Sequence, residues 1–385
     1  MIAEEGLEAL TLRPLANRLS MGLSSLTYRF ETKDALLTFL IETARQSEAG
    51  TLQLWQSRLE GLVNIAPDDL AEITDAILSD LVIHHRDRTL LYCELVQLSS
   101  PQPDLWSRLQ PWVETRLSFW VDLADRIHPK PAYDLGPAVQ AYVTDELAHA
   151  LALEEISAYR RLRRLGLKRL FRGLVSSPSS AGDAVLADVC IKALGELPGD
   201  LMIDHHALEP KGKASAWVRH IADLIVEQGA GAVTHRAAAA RANIAASTLA
   251  YHFKTQDDLL RAGLEDIIRR LTRGVQAVLT NNQNGASSPD AAVEIARATY
   301  AIALWATRRP TMLACAADMR RLRGINLYKI LSNRLEGLDP LSAQAMSIAG
   351  IGALMLNGHR GPAEAADANF KNIERLTTAF IEKPS

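Results

Sequence analysis

The sequence predicts an all-α fold, laid out as two tandem copies of one helical module. Three observations predict it. Apolar residues recur at i, i+4 and i+7 along most of the 385 residues, the period of an amphipathic helix, and no stretch shows a convincing strand alternation. Prolines, among them Pro101, Pro103, Pro129, Pro131 and Pro178, cut the pattern into segments of ordinary helix length. Residues 4–37 align without a gap to residues 227–260 at an offset of 223, with 15 of 34 positions identical. A period this long marks a duplicated module, not a solenoid.

Composition narrows the function classes. Hydrophobic residues are 48% and charged residues 23% of the chain, the balance of a soluble globular protein with room for two or three domains. No run of eighteen apolar residues occurs, so no membrane span or membrane partner is expected. The opening residues Met1-Ile2-Ala3-Glu4-Glu5 lack the basic and apolar regions of a secretory leader, and a cytoplasmic location is expected. Cys93, Cys190 and Cys315 lie far apart, which suits neither a disulfide framework nor a cysteine zinc site. His84-His85 and Asp204-His205-His206 have no third group spaced to complete a metal site. No metal and no cofactor are therefore expected. The P-loop, dinucleotide, His-Glu-x-x-His and Gly-x-Ser-x-Gly patterns are missing, and no enzymatic activity is expected. The net charge of −3 does not itself point to nucleic acid, so any such role must come from local charge and motif.

Each repeat copy has its own local logic. The second opens with a helix over residues 214–228, where Trp217, Ile221, Leu224 and Ile225 share one face and Gly229 closes the end. Thr11 and Thr234 stand where an N-cap belongs, ahead of short helices at 12–19 and 235–242. A tight turn follows, with Asn243 in the second copy suited to a left-handed conformation. A second short helix then ends at Tyr28-Arg29-Phe30 or Tyr251-His252-Phe253, and a longer helix starts at Thr32 or Thr255 with Asp34 or Asp257 in its first turn. Two short helices joined by a tight turn make a helix-turn-helix unit, whose second helix can enter a DNA major groove. Its expected buried residues are Leu15, Leu19, Met21, Leu26 and Phe30 in copy one, and Ala238, Ile244, Leu249 and Phe253 in copy two. Met1 aligns with Leu224, so copy one lacks counterparts of Trp217, Val218 and Ile221 and its first helix is expected to be a stub.

The pattern Thr-x-Arg-x-x-Ala, then a turn, then Leu-x-Tyr-(His/Arg)-Phe-x-Thr-x-Asp-x-Leu-Leu, resembles the tetracycline-repressor (TetR) family. Copy two, with Thr248-Leu249-Ala250-Tyr251-His252-Phe253-Lys254, is the closer match. The resemblance implies a transcriptional regulator that binds a double-stranded DNA operator. It also implies that the helices after the motif form a ligand-binding and dimerising domain, with repression relieved by a small-molecule effector as the default. Two such modules divide the chain into helix-turn-helix domains at 1–46 and 210–273 and effector domains at 47–209 and 274–385. The alternative is a helical interaction or scaffold protein whose helix-turn-helix units have lost specific DNA binding.

Outward-facing residues of the second helix are the candidates for reading bases: Leu23, Ser24, Ser25 and Thr27 in copy one, and Ala246, Ser247, Thr248 and Ala250 in copy two. These small side chains permit close approach, hydroxyl contacts and methyl contacts to thymine. The resemblance implies that Tyr28, Arg29, Tyr251 and His252 contact phosphates, and Arg13, Arg236, Lys33 and Lys254 are further phosphate candidates. Charge separates the copies. Residues 1–46 carry five Lys/Arg against six Asp/Glu, net −1, whereas residues 213–273 carry nine against six, net +3. Copy two is expected to bind DNA more strongly.

Elsewhere, apolar spacing predicts helices at 34–62, 68–86, 88–99, 103–128, 136–175, 183–204, 290–308, 310–335, 340–358 and 362–382, with a linker at 204–213 and a polar loop after 281. The cations of residues 154–174 are expected on a solvated face, with a DNA or membrane-surface role as the alternative. Tyr92, Trp106, Trp112 and Trp120 are candidates for an effector pocket, against the plainer reading as core. The small residues Ala343, Ala345, Ala349, Gly350, Gly352 and Ala353 suit close helix approach. The resemblance implies dimerisation through the helices at the end of each effector domain, here 136–204 and 340–382, and tethering favours their pairing within one chain as an internal pseudo-dimer, with a two-chain homodimer as the rival.

Overall fold

The computed structural model describes residues 2–7, 10–131, 134–175, 179–198, 213–280 and 289–378. The expected linker at 204–213 and the polar loop after 281 lie outside these residues, apart from Lys213, as does Asp204-His205-His206. Among the described residues the fold is all-α. The first half contains α1 (Ile2–Glu5), α2 (Leu12–Arg18), α3 (Leu23–Arg29), α4 (Lys33–Arg58), α5 (Pro67–Ile83), α6 (Arg86–Ser99), α7 (Pro103–Ala124), α8 (Gly136–Leu153), α9 (Ser157–Arg172) and α10 (Ala181–Gly195). The second half contains α11 (Lys213–Gln228), α12 (His235–Arg241), α13 (Ala246–His252), α14 (Gln256–Thr280), α15 (Pro289–Ala306), α16 (Leu313–Arg321), α17 (Ile325–Leu331), α18 (Pro340–Asn357) and α19 (Pro362–Thr378).

Local chemistry sets most helix starts. Pro67, Pro103 and Pro340 open α5, α7 and α18, where a missing N–H costs nothing and the fixed φ is already helical. The side chains of Ser180 and Asp339 accept the Asp183 and Ser342 amides at the starts of α10 and α18.

Two helices expected to be continuous are broken. The segment 136–175 divides at residues 154–156, where Ile156 is extended and Arg163 of α9 reaches back to Glu154 at 2.5 Å. The segment 310–335 divides at Gly324, whose φ is +79° and where a Cβ would stand 2.5 Å from the α18 backbone at Ala343 and Gln344. A left-handed residue pressed against a crossing helix requires glycine.

Only some of the cations of residues 154–174 lie on the expected solvated face; others are buried or paired with α5. Arg163 is fully buried, 2.6 Å from Asp75; Arg164 lies 2.9 Å from Asp75, Lys168 lies 3.3 Å from Glu72, and Arg172 pairs with Asp68. Asp68, Glu72 and Asp75 sit at i, i+4 and i+7 on α5, so one acidic stripe meets one basic stripe of α9. Arg160, Arg161 and Arg164 remain exposed, and Leu162, Leu165 and Leu170 are buried.

The C-terminal helices pack on those of the first half. Helix α18 crosses α8 and α9, and α19 lies against α18, α15 and α8. At the α8–α18 crossing a Cβ on Gly352 would meet the Ala141 carbonyl oxygen at 1.7 Å, so the two backbones touch. Ala343, Ala345 and Ala349 are fully buried beside it. The 340–360 segment is long and apolar enough to cross a membrane by composition, yet it is buried within the protein.

Charged groups also cross this junction. Arg320 of α16 donates to Glu146 of α8 at 3.0 Å, and Arg323 donates to Asp145 at 3.0 Å. Arg169 of α9 donates to the Ser342 hydroxyl at 2.7 Å. Burial pushes the Asp145 carboxyl up to about 6, against the opposing pull of Arg323. Trp106 stacks on His359 with ring centroids 4.0 Å apart.

Candidate nucleic-acid interface

The repeat seen in sequence is a repeat in space. Helices α2 and α12 begin and end at residues related by 223, and so do α3 and α13. The turn residues Ser20 and Asn243 both adopt a left-handed backbone, with φ of +52° and +51°. Gly6 and Gly229, which end the first helix of each copy, have φ of +88° and +84°. The amide of Met21 donates to the Ala16 carbonyl at 2.9 Å, and that of Ile244 to the Ala239 carbonyl at 3.0 Å.

One ion pair is duplicated as well. Arg18 donates to Glu4 at 2.7 Å, and Arg241 donates to Glu227 at 2.5 Å. All four residues are repeat identities. Each arginine holds its partner carboxylate below the usual range through that hydrogen bond. These arginines are therefore tied back to the end of the first helix, which separates them from Arg13 and Arg236.

Within each unit one leucine anchors the second helix. Leu26 and Leu249 are buried, while Leu15, Phe30, Ile244 and Phe253 are half-buried. Leu19 and Met21, expected inside, are 51% and 47% exposed. They flank the turn of copy one.

Every base-reading and phosphate candidate is exposed: Arg13, Leu23, Ser24, Ser25, Thr27, Tyr28, Arg29 and Lys33 in copy one, and Arg236, Ala246, Ser247, Thr248, Ala250, Tyr251, His252 and Lys254 in copy two. The two tyrosines project furthest, at 93% for Tyr28 and 82% for Tyr251. Neither packs in the core. The Thr27 hydroxyl donates to the Leu23 and Ser24 carbonyls at 3.1 Å, so it faces its own helix.

The copies differ in how firmly they are built. Thr234 caps α12 through the Ala237 amide at 3.1 Å, whereas Thr11, in the same backbone conformation, makes no cap bond. Thr255 and Asp258 form a reciprocal capping box at 2.9 and 3.0 Å, while Ala35 stands at the Asp258 position in copy one and only Thr32 contributes. His235 Nε2 lies 2.6 Å from the Phe253 carbonyl and ties the start of α12 to the end of α13; its counterpart Leu12 has no such group. The Trp217 ring meets the His252 ring edge-on at 5.1 Å. Sequence reasoning placed the cap at Thr234 and missed the other supports, although the identity of Glu4 with Glu227 and of Arg18 with Arg241 signalled the ion pair.

The four aromatic candidates for an effector pocket are all buried. Tyr92 meets Trp112 edge-on at 5.3 Å, with the Arg116 guanidinium 3.6 Å from the Tyr92 ring centroid and 2.5 Å from Glu48. Trp120 packs on Phe119, and Trp106 turns to His359. The structure thus brings Tyr92 and Trp112 together and points Trp106 elsewhere. No group of three His, Cys, Asp or Glu side chains able to hold a metal occurs among the described residues.

Residues 219–262 match the model of the family described as bacterial regulatory proteins, tetR family. The match runs from α11 into α14 and contains the whole of α12 and α13, so the second unit is a TetR-type helix-turn-helix domain. No curated protein matches the chain.

Proposed function

We propose that this chain is an operator-binding repressor, relieved by a small molecule, in which two helix-turn-helix units of one polypeptide act as an internal pseudo-dimer. The observation that carries it is the pair of exposed second helices, α3 and α13, presented by units with the same turn, ion pair and anchoring leucine at an offset of 223. The family match of the second unit supplies the function class. The backbone contact of α18 with α8 supports pairing within the chain. Tethering makes that pairing intramolecular, at an effective concentration on the order of mM for a short linker. The two recognition helices would then read half-sites about one DNA turn apart, some 34–36 Å.

The copies read different surfaces, Leu23-Ser24-Ser25 against Ala246-Ser247-Thr248, so the operator is an imperfect palindrome or not one at all. The better-capped, net-positive second unit supplies most of the affinity. A mobility shift with the DNA upstream of its own gene, across a salt series, tests the reading. A specific band that weakens with salt supports it. A scaffold protein gives no specific band, and that result would sink the proposal.

A further inference from the structure

A cavity of about 70 Å³ lies where the bases of the two helix-turn-helix units meet. Gly6 and Gly229, the repeat-related residues that end the two first helices, both line it. Its other walls come from α6 and α15. One water needs about 10–15 Å³ of such space, so the cavity holds about five water-sized groups.

The chemistry of the wall selects a ligand. Glu94 and Arg308 form an ion pair across it at 2.7 Å, and Glu94 also accepts the Leu7 amide, so the charges are already matched. Gln97 is 4% exposed, and neither its amide oxygen nor its amide nitrogen has a partner among the described residues. The indole Nε1 of Trp305, 8% exposed, is likewise without a partner. Leaving such buried groups unpaired is unfavourable, and a guest that pairs them recovers that loss. Gln97 offers one acceptor, and Gln97 and Trp305 offer donors. Leu98 and Leu304 supply alkyl surface.

We propose that this cavity is the effector site, taking a small neutral amide or alcohol with a short alkyl group and so setting how the two helix-turn-helix units sit relative to each other. This rests on the reading of the chain as an effector-controlled regulator. The mechanical link is direct. Arg308 donates to the Ile2 carbonyl of α1 at 3.0 Å while paired with Glu94, and a Cβ on Gly231 would stand 3.1 Å from the Trp305 ring. A guest that moves Trp305 or the Glu94–Arg308 pair therefore moves the base of either unit.

The test uses the full chain with 15N-labelled indoles, isobutyramide as probe and isobutyrate as the charged control. Trp305 is assigned by the resonance lost in Trp305→Phe. Isobutyramide should shift the Trp305 N–H signal saturably and isobutyrate should not. Gln97→Leu should abolish the shift at nearly unchanged volume, and Gly231→Ala, which narrows the cavity against Trp305, should weaken it. Bound isobutyramide should change operator affinity about fivefold or more. No shift of Trp305, a shift equal in Gln97→Leu, or binding that leaves operator affinity unchanged overturns the proposal. A chain that shifts operator DNA with a silent Trp305 loses the site and keeps the regulator. A responsive Trp305 in a chain that binds no DNA removes the regulator reading instead.

Discussion

Gly352 of α18 sits so close to Ala141 of α8 that a Cβ would fall 1.7 Å from the Ala141 carbonyl oxygen. The obstacle is backbone, which cannot rotate aside, so Gly352→Val must force the helices apart. The expected loss is at or above the usual overpacking range of about 1–3 kcal/mol. A Cβ added at Gly50, in α4, would meet no neighbouring group within 4 Å, and Gly50→Ala should gain about 0.5–1 kcal/mol from helix entropy. Urea denaturation of the two variants checks the contrast, and equal effects would show that the α8–α18 contact does not hold the halves together.

Arg320 and Glu146 form a second link between the halves, both fully buried. Glu146→Gln strands the Arg320 charge and should cost roughly 3–5 kcal/mol. Removing both charges with Glu146→Gln and Arg320→Met should cost less than the sum of the single changes. Additive losses in a double-mutant cycle would mean that the pair is not coupled.

His149 of α8 is buried, with Nδ1 3.2 Å from the Asp145 carbonyl, and burial beside Arg323 and Arg320 holds its pKa well below 6.5. Below that value the unfolded chain takes up a proton that the native site refuses, so the contribution of His149 to stability falls as pH falls, by up to about 1.4 kcal/mol per pH unit. Asp145 acts in the opposite sense: its pKa, raised from 3.8 to about 6, lets the native state bind the proton first as pH falls through that window. Wild type should therefore lose stability relative to His149→Leu as pH drops below 6.5. A stability difference independent of pH would show that His149 titrates alike in both states.

Tyr251→Ala or Lys254→Ala should weaken operator binding more than Tyr28→Ala or Lys33→Ala. The second unit is capped at Thr234, boxed at Thr255–Asp258 and braced by His235, and it carries the positive charge. Lys254→Ala should also lower the salt slope by about one, as the loss of one phosphate contact requires. Equal losses from both sets at one salt concentration would contradict the asymmetry.

The helix-turn-helix units were legible because their determinants are local. The left-handed turn and the anchoring leucine lie within the aligned segments and recur at the 223-residue offset, whereas the cap at Thr234 is not matched at Thr11. The junction between the halves was not legible in detail. Arg320 and Glu146 are 174 residues apart, and nothing in the spacing of either helix names the other. The cations of α9 looked like a solvated face because their partners Asp68, Glu72 and Asp75 belong to a different helix. The break at Gly324 is likewise set by α18 crossing it. Leu19 and Met21 read as core by period alone, yet both flank the turn and stand exposed, which period does not register.

One chain is proposed to supply both halves of the DNA-binding unit. Light scattering coupled to size exclusion, on the free protein and on its complex with a single operator duplex, measures this directly. The protein mass should be near 42.2 kDa in both, one chain per duplex. A stable protein mass of twice that value, free or bound, would mean that separate chains pair and would contradict the internal pseudo-dimer.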